Sequence, residues 1–327
     1  MYYPYLRGKQ FDLLALKEAL SRDLLSSKIE PVIEPVRDSA TLKNVIELFQ
    51  KQDHPLAVIG NPQVGQFKLF DQHVHSWTLN ENSTIEQALI ITPETFQQIL
   101  HTPPGLIVFD GQHYPKEAES WKQLTTLPSR FLIPDDSRIR IWLPENKIVI
   151  RDSFSIRKHV ESYGEKNDDF FSNDYLFYQQ DGYKGFSDFT IEGSRYFDKG
   201  FPSRALAIHL TYIDAYGNIR VKHFVSDSND SAKDQALKFF EAAEKMKRWI
   251  MRHHHQLLIT SGMLELLTLY EQKKFPGLGV LKKWSLLHHL ELISQLIDHP
   301  TDWLRCYSKV KELYEIIRPI DYNKQIK

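Results

Sequence analysis

The sequence predicts an α/β protein: a (β/α)8 TIM-like barrel with an added β-hairpin and C-terminal helices. Three observations predict it. Eight strand-like runs alternate with helix-like or loop segments through residues 1–200. Eight βα units in order match the strand count of a closed parallel barrel, with an open doubly wound sheet as the competing arrangement. Beyond residue 200 the pattern switches to strict alternation and then to helical spacing. The expected organisation is one domain over 1–327, with a barrel core at 1–200, a hairpin at 201–230 and a helical part at 231–327 packed on the barrel.

The first strand is expected at 2–6. Apolar residues at 11, 13, 14, 16, 20, 24 and 25 then recur at helical spacing. IEPVIEPV (29–36) is a short apolar run with prolines, and Ser39 is placed to cap the helix-like TLKNVIELFQK. PLAVIGNP (55–62) stops at Gly60, Asn61 and Pro62. A polar stretch around 65–82 reads as loop or short helix. ALIIT (88–92), GLIVFDG (105–111), RFLIPDD (130–136), KIVIRDSF (147–154) and GFSDFTIEG (185–193) supply the remaining strands. Helices are expected from about 93, at 116–126, and over SIRKHVESY after the seventh strand. RALAIHLTYI and NIRVKHFVSD flank DAYGN, a turn signal, and so form the hairpin. Helices follow at 231–252, capped by Asp230 or Ser231, and at 257–272, 284–297 and 301–318.

Composition narrows the function classes. Lys plus Arg number 41 and Asp plus Glu 42, so no net field drives the chain onto nucleic acid or anionic lipid. One cysteine, Cys306, leaves no intrachain disulfide framework or cysteine-based zinc site. The start has no signal-peptide pattern, and no run approaches the ~18 apolar residues of a membrane span. A cytoplasmic protein is the expectation.

Chemistry in such a barrel sits at the C-terminal strand ends. Arg7, Lys9, Glu34, Asn61, Thr92, Asp110, Asp135, Asp136, Arg151, Asp152 and Asp188 fall there. Arg7, Lys9 and Arg151 suit phosphate or carboxylate, and Gly8 permits close backbone approach. Glu34, Asp110 and Asp188 suit acid–base work, and a divalent metal such as magnesium could be held by such carboxylates, with Asp136 as a candidate ligand. The combination points to a small phosphorylated or nucleotide-like ligand. An ion pair between Glu34 and Arg7 or Lys9 is the competing structural reading.

His209 is a ligand-binding candidate on the hairpin, with His223 on the opposite strand. His253, His254 and His255 are adjacent at a helix end and so do not face one another as metal ligands. The aromatic-rich segment 167–186, with Tyr175, Phe177 and Tyr178, reads as a lid or partner surface. No basic stripe with interleaved aromatics is present, so direct DNA binding is not expected.

YPYLRGKQFDLLALKEAL followed by IEPVIEPV resembles the opening of the bacterial and phage "beta protein" family. DDFFSNDYLFY, GFSDFTIEG, GFPSRALAIHLTY, HFVSDSND and GLGVLKKWSLLHHLEL resemble a sister family over nearly the whole chain. The resemblance implies a barrel-like fold and a place in phage-defence gene neighbourhoods beside a partner gene. It supplies no catalytic residues. The expected function is therefore an enzyme or sensor for a phosphorylated ligand in anti-phage defence, acting as phosphate-ester hydrolase or transferase if an enzyme. The alternative is a non-catalytic scaffold that binds a partner defence protein.

Overall fold

Prolines shorten the first two strands. Pro4 precedes β1 (Tyr5–Leu6), and Pro31 and Pro35 flank β2 (Val32–Ile33). Proline has no N–H to give a ladder, so each strand keeps only two regular positions. They pair in parallel, Tyr5 with Val32 and Leu6 with Ile33. Between them α1 (Gln10–Ser21) buries Leu13, Ala15, Leu16, Ala19 and Leu20. After β2, α2 (Ala40–Lys51) begins where Ser39 Oγ accepts the Leu42 N–H at 3.2 Å, as the sequence predicts.

The units continue in order: β3 (Leu56–Ile59), α3 (Gly65–Leu69), β4 (Ile85–Ile90), α4 (Phe96–His101), β5 (Leu106–Val108), α5 (Ala118–Thr125), β6 (Arg130–Pro134), α6 (Ser137–Arg140) and β7 (Lys147–Arg151). The eighth barrel strand is β9 (Gly185–Asp188), paired in parallel with β7. The sheet order β1-β2-β3-β4-β5-β6-β7-β9 is parallel throughout. Tyr2 bridges both Ile29 and Phe186, and the Tyr3 N–H donates to the Phe186 carbonyl at 2.9 Å. The barrel is thereby nearly closed, and the open-sheet alternative falls. Its interior is packed by Tyr3, Tyr5, Val32, Ala57, Ile59, Ala88, Ile90 and Leu106 with their neighbours.

The computed structural model describes residues 1–69, 84–197, 203–300 and 309–317. Most of the expected polar stretch at 65–82, and residues 301–308 of the last expected helix, lie outside the described residues. The chain divides into two compact units, Met1–Ile156 with Phe170–Gly200, and Arg157–Asp169 with Phe201–Lys327.

The helix expected over SIRKHVESY does not form; only a 3-10 turn at Val160–Tyr163 does. Arg157 is drawn elsewhere: its N–H donates to the Tyr163 hydroxyl and its guanidinium to Asp169 and the Ser162 carbonyl. The chain then forms β8 (Asp168–Ser172) and α7 (Asp174–Phe177) before β9. In the second unit β10 (Ala207–Ile213) and β11 (Ile219–Val225) form the expected antiparallel hairpin, in the sheet order β10-β11-β8. At its turn Asp214 accepts the N–H groups of Tyr216 and Asn218, each at 2.9 Å. Helices α8 (Gln235–His253), α9 (Ser261–Glu271), α10 (Leu278–Asp298) and α11 (Val310–Ile317) follow. The start of α8 falls at Asp234, not at Asp230 or Ser231. The buried Lys238 ammonium reaches back to the carbonyls of Ser231 and Lys233, which holds that segment outside the helix. The core of this unit centres on Leu210, Phe239, Met246, Ile250, Leu266 and Leu267.

Candidate active site

Side chains alternate across a strand, so the barrel's strand ends split into an inner and an outer ring. Glu34 is in step with Val32, and Asp110 with Leu106 and Val108, all three of which pack the interior. Asp188 is in step with Phe186, whose ring stacks on Tyr2 at 5.0 Å, while a Cβ on Gly185, one residue out of step with them, would strike the inward Tyr3 ring. Asp188 and Arg151 therefore lie on the other ring from Glu34 and Asp110. They are register partners of β7 and β9, so they share a face with each other.

Glu34 is 0% exposed and fully engaged. It accepts from the Tyr5 hydroxyl at 2.6 Å, from the Gln63 N–H at 2.7 Å, and from the Arg7 guanidinium in an ion pair. Burial, then the Glu34 charge, pushes the Tyr5 hydroxyl well above its ordinary range, so it stays a donor. Arg7 also donates to the Ser194 carbonyl at 2.7 Å and lies over the rings of Tyr5 and Phe189. Its Nε–H is buried and meets no acceptor among the described residues. Lys9 turns away: its ammonium is 4.0 Å from Glu192 and over the Tyr196 ring. Gly8 has φ +60°, and a Cβ there would come within 3.0 Å of the Glu34 carbonyl oxygen. Its freedom serves packing of β1 on β2. The Arg7-Gly8-Lys9 triplet thus holds one countered cation and one diverging one.

Asp110 makes the arrangement that sequence reasoning missed. One carboxylate oxygen accepts the N–H groups of Gln112 and His113, both at 2.8 Å, and the other lies 2.8 Å from His113 Nδ1. Partial burial alone would raise the Asp110 pKa; the His113 N–H, the His113 ring and the Gln112 N–H outweigh it and hold the carboxyl low. An ionised Asp110 makes Nδ1 the protonated nitrogen and leaves the lone pair on Nε2. The His113 side chain is 46% exposed. The signal was the spacing in DGQH, an aspartate three residues before a histidine at a strand end.

The other expected residues have other duties. Asp188 is buried, accepts from the Tyr2 hydroxyl at 2.8 Å and from the Thr190 N–H at 2.7 Å, and is raised to about 7, chiefly by burial. Arg151 is held between Asp174, at 2.9 Å, and Asp135. Asp136 caps α6 through the Arg138 N–H and pairs with the Arg138 guanidinium. Among the described residues no three His, Cys, Asp or Glu side chains come together as a metal site. His209 belongs to the second unit. Tyr178 bonds the N-terminal amine at 3.1 Å, Tyr175 is half-buried, and Leu176 and Phe177 are exposed. No helix among the described residues is long and apolar enough to cross a membrane.

No family model, curated protein or solved structure matches this chain. The chemistry therefore has to be argued from the side chains. An aspartate-held imidazole at the end of β5 can take a proton from water or a hydroxyl and return it to a leaving group. Glu34 can do neither without abandoning three donors.

Proposed function

We propose that the protein is a barrel enzyme that performs acid–base chemistry on a phosphorylated or nucleotide-like ligand, with His113 as the base and Asp110 holding its tautomer. The observation that carries this reading is the 2.8 Å contact between Asp110 and His113 Nδ1 at the C-terminal end of β5. Chemistry in (β/α)8 enzymes sits at that end. Lys9, partly exposed beside Glu192, supplies the attraction for phosphate, with the Arg7 Nε–H, which meets no acceptor among the described residues, as a second donor. A role in anti-phage defence is proposed on the sequence motifs alone.

The test is a thermal-shift and hydrolysis screen of nucleotides, sugar phosphates, p-nitrophenyl phosphate and bis(p-nitrophenyl) phosphate. Binding raises the melting temperature by mass action. A shift that weakens in Lys9→Ala supports the reading, and the absence of any shift or turnover across the panel overturns it. Arg7→Ala is the poorer variant, because it strands the buried Glu34 carboxylate.

A second reading, a scaffold for a partner defence protein, is favoured by the exposure of Phe177, at 43%, beside exposed Leu176. Partner capture that fails in Phe177→Ser and survives His113→Gln would select it.

A further inference from the structure

Three rings on the outer side of the barrel form one parallel stack. The alternation that turns Val108 inward turns Phe109 outward onto α5. There it faces Trp121, with ring centroids 5.8 Å apart and 4° between the planes. Trp121 in turn faces Trp142 at 6.2 Å and 6°. This is offset parallel stacking. Phe109 and Trp121 are buried, whereas Trp142, which ends the stack, is 41% exposed, and Ile141 beside it more so. The chain keeps turning after α6: the Ile141 N–H donates to the Ser137 carbonyl and the Trp142 N–H to the Ile139 carbonyl, each at 3.1 Å. Ile139 and Leu143 are buried on either side, which holds the indole in place. Covering Trp121 uses one face of Trp142. The other face meets no ring among the described residues.

A cation stands on the same turn. Arg138 lies four residues before Trp142, about one helical turn or roughly 5 Å along the axis. Asp136 takes the Arg138 Nε–H, at 3.0 and 3.1 Å, and an Nη2–H at 2.5 Å. That fixes the guanidinium and leaves Nη1 with no acceptor among the described residues. Arg138 also lies over the Tyr114 ring, 5.5 Å from its centroid, and Tyr114 directly follows His113. Arg140 is taken by Asp135 at 3.3 Å. One arc of the barrel rim thus runs from His113 through Tyr114 and Arg138 to the open indole face. A free guanidinium edge suits a phosphate oxygen, and an open indole face suits a planar base. A sugar phosphate would leave the indole unused, and a bicyclic purine matches its area best.

We propose that Trp142 is the stacking platform for the base of a purine nucleotide whose phosphate is held by Arg138. This names the ligand class at the barrel mouth, and it rests on the proposed function only for the reaction at His113. Asp136 is a positioning residue, which presents Nη1 of Arg138 to the phosphate.

The test compares adenosine monophosphate with ribose phosphate, which lacks the base. Calorimetric titration of the full chain should show adenosine monophosphate binding at least about tenfold more tightly. Trp142→Leu, which keeps an apolar cover on Trp121, should abolish that advantage and leave ribose phosphate unaffected. Arg138→Gln should weaken both ligands. Equal affinities in the wild type, or an unchanged advantage in a folded Trp142→Leu, overturn the proposal. The wild type also decides by itself through fluorotryptophan labelling, with the Trp142 ¹⁹F line assigned by its loss in Trp142→Phe. Adenosine monophosphate should move that line and ribose phosphate should not. A line unmoved by adenosine monophosphate overturns the platform, and so does one that moves only on dilution, which would assign this face to a second copy of the chain. Stacking on Trp142 without turnover of any phosphate ester would support the platform and overturn the reaction at His113 instead.

Discussion

Acidification from pH 7 to pH 5 pulls the two units in opposite directions. In the second unit His288 is buried, with Nε2 2.6 Å from the Thr211 carbonyl and Nδ1 2.7 Å from the Thr260 hydroxyl. The Thr211 carbonyl can only accept, so Nε2 carries the proton and the neutral ring takes the Thr260 O–H at Nδ1, while Thr260 Oγ1 accepts the Met263 N–H. Burial lowers His288 to about 4, and burial with the His288 charge lowers His289 to about 3. Both stay neutral when folded at pH 5, whereas in the unfolded chain they bind protons below about 6.5. The stability they contribute is full above that value and is lost as pH falls. At pH 5 the loss is about 2 kcal/mol each. Together they predict about 4 kcal/mol, or roughly a thousandfold in the opening equilibrium. In the barrel Asp188 and Glu86 are both raised to about 7, burial being the main cause for each. Their contribution is present at low pH and lost as pH rises through 7, so the same change in pH adds about 2 kcal/mol apiece. Peptide-resolved hydrogen exchange at pH 7 and pH 5, corrected for intrinsic rates, measures both. Peptides of α9 and α10 should lose protection while those of β1, β6 and β9 keep or gain it. Unchanged or increased protection in α9 and α10 at pH 5 would refute the reasoning.

Two further perturbations test the barrel. Arg130 bonds Glu30 at 2.7 and 2.6 Å and pairs with Glu86, so Arg130→Ala should cost about 3–5 kcal/mol by leaving buried carboxylate uncompensated. Glu86→Gln, which replaces a carboxyl already prone to protonation, should cost under about 1.5 kcal/mol; urea unfolding compares them. Gly8→Ala should cost about 1–3 kcal/mol in the same assay, since φ is +60° and the added Cβ meets the Glu34 carbonyl. A neutral Gly8→Ala would contradict that packing.

The barrel was legible because eight apolar runs came in order with turn residues after them, and the hairpin because RALAIHLTYI and NIRVKHFVSD alternate around DAYGN. SIRKHVESY misled because its apolar spacing fits a helix, while Arg157 satisfies Asp169 and Tyr163 instead. Strand-end position placed Asp110 among the mouth residues but did not show which ring each residue joins. That depends on strand phase, and one residue of phase sends Asp188 to Tyr2 on the outer ring. The partner choice of Arg7 was foreseen as one of two options; only packing decides that Glu34 takes it and that Lys9 turns to Glu192. His113 was missed because an exposed loop histidine has no apolar pattern to mark it. The pairing of His209 with His223 needed the register of β10 against β11, which no local pattern reveals.

Under the proposed function the Asp110–His113 pair is the reacting base. The most direct measurement is turnover of the best phosphate ester from the panel by wild type, His113→Gln and Asp110→Asn, with melting temperatures recorded alongside. His113 is half exposed, so His113→Gln should leave stability within about 0.5 kcal/mol. A loss of about 10²–10⁴ in kcat is expected for His113→Gln and a smaller loss for Asp110→Asn, both in folded protein. Full turnover in a folded His113→Gln would contradict it.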